Sequence, residues 1–195
     1  NKGVILMADW GNVAISGGYA NFANKDYGKI GAEYSYKGDF QNENIGYKLA
    51  AGGDALIGNG HGINANAYAG VEFNKLGNSQ YELGVFADYA QAFKNNAEAN
   101  NRPQSLKAGV ELGNTIDLCG CDEHKFRYAL MGGVEQYAAP DDLKGVKKTG
   151  GFVGSKFEYN AKLNDKGQEL FVNTKAMIGV KSKMNFVGAG IGFKF

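Results

Sequence analysis

Two clusters carry residue types that do chemistry. Cys119-Gly120-Cys121 runs straight into Asp122, Glu123 and His124. Two thiols separated by one glycine can close a disulfide that pins a turn, and an oxidising compartment favours that outcome over free thiols. Cys119, Cys121 and His124 are also metal-ligand types. Structural zinc sites, however, combine two separated ligand pairs, and this sequence has no second pair. A turn disulfide or free thiols is therefore the expectation, with no metal and no cofactor. The second cluster is His61, with Asp54 in what reads as the adjoining loop and Asp88 near the same end of the next segment. Such a trio could supply an acid and a base. A histidine at a segment end is more often a polar loop residue, and no enzyme motif accompanies this one. No catalytic residue is assigned, and the chain is expected not to be an enzyme.

These residues lie among segments that alternate with a period of two. In residues 170–181 one face is Leu170, Val172, Thr174, Ala176, Ile178 and Val180, while Asn173, Lys175, Gly179 and Lys181 lie on the other. The same alternation runs through 153–163, 126–135, 106–117, 81–90 and 63–73, with shorter versions at 44–52, 27–36 and 11–21. Side chains at this spacing point to opposite sides of a strand. Most segments are near the length of a tilted membrane strand. Gly11 shifts the phase of the first segment, so residues 1–9 either extend it through a bulge or fold into an interior.

Composition removes the main alternatives. The chain holds 195 residues with 30 Gly and only 2 Pro, and the glycines are spread through the alternating segments, unlike a disordered linker. No apolar run approaches a spanning helix or a secretory h-region, so the chain is either a mature product whose export signal is gone or was never exported. A net charge of +1 without a basic stripe gives no reason to expect nucleic acid as a partner.

The last nine residues read VGAGIGFKF, with Val187, Ala189, Ile191, Phe193 and Phe195 on one face. This ending resembles the carboxy-terminal signature of bacterial outer-membrane β-barrels, in which a terminal Phe closes the last strand. The resemblance implies an outer-membrane location, contact with outer-membrane lipid, and reading of Ile191, Phe193 and Phe195 by the barrel-insertion machinery. Together with the repeated alternation it predicts an all-β, closed, antiparallel, up-and-down transmembrane barrel spanning residues 1–195 as one domain. About ten strands are expected, within a range of about eight to twelve. The long polar links 94–104 and 138–149 would then share one rim with 53–60 and the short links around Asn24 and Ser182. Links 37–43, 74–80, 118–125 and 164–168 would occupy the other rim, with both termini in the periplasm. A soluble barrel of lipocalin type would alternate equally well. Aromatics near segment ends (Tyr36, Tyr47, Phe73, Tyr81, Tyr89, Phe126, Tyr159, Phe193 and Phe195) flanking Ala, Val and Leu instead suit two interfacial girdles.

The polar face defines the candidate lumen. Its nine bases are Lys29, Lys48, Lys107, Arg127, Lys156, Lys162, Lys175, Lys181 and Lys194. Its eight acids are Glu33, Glu72, Glu82, Asp88, Glu111, Asp117, Glu135 and Glu158. The bases concentrate after Lys156 and the acids between Glu72 and Glu135, so a closed barrel would set them opposite each other. One reading is a narrow, charge-lined lumen that passes small polar solutes or ions, with glycines leaving the gaps. The alternative is a non-conducting structural or surface-interaction barrel whose lumen is filled by salt bridges, because barrels of about eight strands are filled by their side chains. A further alternative is an outer-membrane protease or lipid A-modifying enzyme using His61 and nearby acids. The two long loops could also bind a surface partner.

Overall fold

The computed structural model describes residues 11–40, 45–58, 60–73, 75–93, 102–139, 147–164 and 166–195. Residues 1–9 and the central parts of the two long loops, 94–101 and 140–146, lie outside them. Ten strands follow one another: β1 (Asn12–Phe22), β2 (Lys25–Asp39), β3 (Ile45–Gly58), β4 (Gly60–Phe73), β5 (Ser79–Phe93), β6 (Gln104–Asp117), β7 (His124–Ala138), β8 (Lys148–Lys162), β9 (Glu169–Gly179) and β10 (Phe186–Lys194). Each pairs antiparallel with its sequence neighbours, and β1 pairs with β10 to close the barrel. Beyond the last paired residues, Phe195 N–H donates to Val13 O at 2.8 Å and Val13 N–H to Phe195 O at 3.1 Å. The all-β, up-and-down architecture expected from the alternation is the one observed.

Register sets which face points inward. Asp88 lies opposite Lys107, and Lys107 opposite Glu135, so three charges share one row on the inner wall. Tyr89, Leu106 and Gln136 form the next row and point outward. The outer wall is a band of exposed aliphatics that includes Ile15, Ile30, Leu49, Val85, Val110, Leu130, Val153, Val172 and Ile191. Aromatics gather at the rim that carries the start of β1 and the end of β10, called here the terminal rim. There Phe40 and Tyr47 have ring centroids 5.2 Å apart, and Phe126 and Phe157 6.2 Å apart. The far rim presents a sparser set, Tyr19, Tyr89 and Phe93, so the girdles are unequal.

At the far rim one expectation changes, and the short link around Asn24 holds. Residues 53–58, expected as part of a link, continue β3, with Gly53 opposite Ala65, Asp54 opposite Asn64 and Leu56 opposite Gly62. The β1–β2 hairpin turns on just Ala23 and Asn24, whose φ angles of 51° and 60° fit the two-residue turn that matches strand twist. Inner-wall glycines also behave differently from the gaps expected of a pore. A Cβ on Gly84 would lie 2.5 Å from the Tyr68 ring, and one on Gly192 would lie 2.7 Å from the Phe171 ring. These glycines make room for aromatic rings lying against the wall.

Candidate functional site

The interior divides into two layers of different chemistry. Toward the far rim, Phe22, Tyr27, Leu56, Phe152, Met177, Met184 and Phe186 form a buried apolar cluster. Phe86 meets Phe152 edge-on at 5.8 Å. Met184 belongs to the link between β9 and β10, which folds inward so that Met184 and Ser182 are buried. A polar latch holds that link. Lys107 Nζ reaches Glu135 Oε1 at 2.6 Å, Ser105 Oγ at 2.7 Å and the Met184 carbonyl at 2.8 Å, which uses all three ammonium donors. Ser182 donates to Glu135 Oε2 at 2.5 Å, and Ser105 donates to Glu135 Oε1 at 2.7 Å. The Lys107 and Glu135 side chains are 2% and 0% exposed. A buried pair this dry is tolerable only when its remaining valences are filled, as they are here.

Below the apolar layer the lumen becomes charged. Lys175 pairs with Asp88, which also accepts from Asn64 Nδ2 at 2.9 Å, while Lys29 lies 3.7 Å from Asp54. Nearer the terminal rim, Arg127 Nη2 joins Glu82 and Glu111, and Tyr68 Oη donates to Glu82 at 3.3 Å. Lys194 pairs with Glu158 at 2.6 Å and also donates to Asn160, and Lys37 pairs with Glu72 at 2.6 Å. A cavity of about 120 Å³ remains between these groups, with Glu33, Lys48 and Lys156 in its wall.

Among the described residues most pairs link strands one or two apart in the ring, such as Lys107 with Glu135 and Lys194 with Glu158. Lys175 and Asp88 join β9 to β5 across the interior. The expected opposition of a basic wall to an acidic one is thus mostly replaced by local neutralisation. Lys162 lies on the inner-facing row at the terminal end of β8, and Lys181 is exposed in the link after β9. Asp117 leaves the lumen set. Its Oδ1 accepts the Gly120 N–H at 2.9 Å and its Oδ2 the Asp122 N–H at 2.9 Å, so it organises the β6–β7 turn.

In that turn Cys119 and Cys121 are joined by a disulfide. His124 is directed elsewhere, with Nδ1 2.8 Å from Tyr159 Oη and its ring stacked on that tyrosine. The trio of Cys119, Cys121 and His124 is therefore not assembled as a ligand set. Asp122 is exposed and receives Lys75 Nζ at 2.8 Å and Lys125 Nζ at 3.3 Å, and the hydrogen bond from Lys75 leads in holding its carboxyl below the usual range. The proposed trio around His61 also separates. His61 points outward in the row of Ile57 and Phe93, whereas Asp54 and Asp88 face inward on the opposite side of the sheet. Ile191, Phe193 and Phe195 point outward and are exposed.

The polarity of the wall decides the architecture, because buried charge inside and exposed aliphatic residues outside invert the arrangement of a soluble barrel. Only helices and closed barrels satisfy their backbone polar groups in hydrocarbon. The chain is a transmembrane β-barrel. No known protein family and no curated protein sequence matches it. Among solved structures the barrel is similar to the N-terminal β-barrel domain of Pseudomonas aeruginosa OprF, at 14% identity over 95% of this chain and 98% of that one, with a TM-score of 0.39. It is also similar to outer membrane phospholipase A from Escherichia coli, at 8% identity over 95% of each chain, with a TM-score of 0.40. The Salmonella typhi outer membrane phospholipase dimer with bound calcium gives 8% identity over 95% of this chain and 90% of that one, with a TM-score of 0.39. Likeness at this level carries no argument about activity. It does correct one expectation: with an enzyme among the similar barrels, the reading of this chain as a non-enzyme is withdrawn, because one fold hosts both kinds of protein. Equally, the likeness does not make this chain an enzyme.

The inward apolar cluster is what sequence reasoning missed. Phe22, Phe152 and Phe186 lie one residue beyond the alternating segments recognised from sequence, in phase with the inner face. Extending each inner row by one step would have found them.

Proposed function

We propose that the protein is a membrane-embedded barrel with an occluded lumen, serving a structural or surface-interaction role. The observation that carries this reading is the dry apolar layer at the far rim, sealed by Met184 and held by the latch from Lys107 through Glu135 to Ser182. Any hydrated ion crossing the barrel would have to displace these side chains. Outer-membrane lipid is the partner of the aliphatic band, and the insertion machinery is the partner of Ile191, Phe193 and Phe195. In this reading the terminal rim faces the periplasm.

The experiment is conductance of the purified barrel in a planar bilayer. The wild type is expected to be silent, and a variant combining Met184→Gly with Ser182→Ala to give discrete openings. Reproducible wild-type openings would overturn occlusion. Passage of small polar solutes or ions is the second reading, favoured by the charged cavity of about 120 Å³ beneath the seal. It requires the β9–β10 link to leave the mouth. Cross-linking that link to β7 should then abolish any wild-type current.

A further inference from the structure

The β9–β10 link has a second face. Ser182 and Met184 turn inward and are held by the latch, while Val180, Lys181 and Lys183 are exposed. Val180 N–H donates to Gly151 O at 2.8 Å, which lays the start of the link along β8. Its exposed residues therefore border the outer wall of β6, β7 and β8. Register builds two outward rows there. Ala108 lies opposite Val134 and Val134 opposite Gly151; one step nearer the far rim, Leu106 lies opposite Gln136 and Gln136 opposite Thr149. Gly151 has no side chain and Ala108 a short one, so a hollow remains between Leu106, Val134 and Val180. It is a groove of about 670 Å³ on the outside of the barrel, with Gln136, Thr149 and Lys181 at its rim end. That volume falls within the roughly 300–1,000 Å³ of small-molecule sites.

The groove changes character along its length. Its floor lies in the aliphatic band, and its other end opens among lysines. Residues 147–151 and 180–186, which flank that end, contain four lysines and no acid, and Lys147, Lys148, Lys181 and Lys183 are all exposed. Glu135, in the row behind, is spent on Lys107. Lipid tails are as apolar as a leucine side chain, so a groove in this wall selects its occupant by shape and by headgroup. Basic residues at a membrane surface favour anionic headgroups. We propose that the groove holds one acyl chain of a lipid with an exposed anionic phosphate headgroup, the phosphate lying beside Lys181 where Gln136 and Thr149 can donate to it. A free anion would leave the apolar floor without a use, and a second copy of this wall would bring aliphatic side chains and no negative charge to the lysines. The latch behind the link holds the groove in shape before lipid arrives, which lowers the cost of binding.

The site rests on the reading that lipid covers the aliphatic band, and it is independent of occlusion. A barrel that fails to insert into lipid vesicles would overturn that reading, whereas an inserted barrel without lipid preference would overturn the site alone. The test is native mass spectrometry of the folded barrel, released from detergent after incubation with dioleoyl phosphatidic acid or with dioleoyl phosphatidylcholine, which has the same chains and a neutral headgroup. The wild type is expected to keep one phosphatidic acid, about tenfold or more in preference to phosphatidylcholine. Lys181→Gln combined with Lys183→Gln should bring the two lipids level. Gly151→Leu fills the hollow, and its Cβ would meet the Gly133 carbonyl at an ordinary 3.6 Å. It should lower phosphatidic acid retention by a similar factor, and Ala108→Leu offers a second way to fill the same space. Lys75→Gln, at the opposite rim, should bind as the wild type does, with folding of every variant verified by heat-modifiable gel mobility. An equimolar amount of inorganic phosphate should leave the lipid in place. Displacement by phosphate, equal retention of the two lipids by the wild type, or equal retention by every folded variant would each overturn the proposal. So would a wild-type dimer that Gly151→Leu splits, because the groove would then hold a second copy of the chain.

Discussion

Lys107 and Lys194 both face the interior and both pair with a glutamate at 2.6 Å, yet they sit in different solvents. Lys107 is enclosed by Met184, Ser105 and Glu135, whereas Lys194 is 23% exposed at the terminal mouth. At the far end the pair organises a link and supports a hydrophobic seal. At the terminal end similar chemistry lines a cavity that water can reach. What differs is the apolar layer above each pair, so the same contact distance has different energetic weight in the two places.

The sharpest way to break this comparison is to remove each lysine in turn. Lys107→Met leaves the Glu135 carboxylate buried without its cation, which should cost about 3–5 kcal/mol. Urea titration of the folded barrel in lipid vesicles, read by gel mobility, measures it. Adding Glu135→Leu to Lys107→Met should recover most of the loss, because two apolar groups can replace a buried pair. If the single variant is as stable as the wild type, the far end is wetter than its packing indicates.

Met184→Ala tests the seal without touching a charge. The residue is 1% exposed and packs with Phe186 and Met177, so truncation should cost about 2–4 kcal/mol through lost burial and the cavity left behind. The same urea titration measures it. Lys194→Met is the counterpart at the wet end. Water solvates the Glu158 it leaves, so the loss should be about 1–2 kcal/mol, between the surface and buried ranges. Equal losses in Lys107→Met and Lys194→Met would erase the distinction between the two halves.

Much of this contrast was legible in the sequence. Alternation placed β4 through β9 on the right faces because Ala, Val and Leu mostly interleave with charged or small residues there, as in Tyr81 to Tyr89 against Glu82 to Asp88, where Phe86 is the exception. The seal was only partly legible: Phe22, Phe152 and Phe186 continue the inner rows by one step, whereas other members read as single exceptions. Leu56 is an example: flanked by Ala55 and Ile57 in a glycine-rich stretch, it carries no sign of which face it takes until β3 is paired with β4. Ion pairing was legible only as composition. That Lys107 would meet Glu135 follows from the register of β6 against β7, which alternation alone leaves free by steps of two. Asp117 was misplaced for a related reason: it has inner-face parity, but it is the last residue of β6, where backbone N–H groups of the turn compete for its carboxylate.

The smallest expected effect extends the comparison outside the barrel, to the β6–β7 turn. Asp122 has a φ of 59°, a conformation that asparagine tolerates as well, so Asp122→Asn removes charge without forcing the backbone. Its folded carboxyl is held below the ordinary value by Lys75 first and then Lys125. A depressed folded value means that the contribution is present above the unfolded carboxyl's range, near about 3.9, and is lost as pH falls through the folded value. The pair is exposed and screened, so wild type and variant should differ by less than about 1 kcal/mol at pH 7. That gap should narrow as the medium is taken below about pH 4, where the unfolded carboxyl is already protonated, and it should shrink in high salt at neutral pH. Paired urea titrations across pH measure it. A gap at pH 7 as large as that of Lys107→Met would mean that this exposed turn, and not the sealed end of the lumen, sets the stability of the barrel.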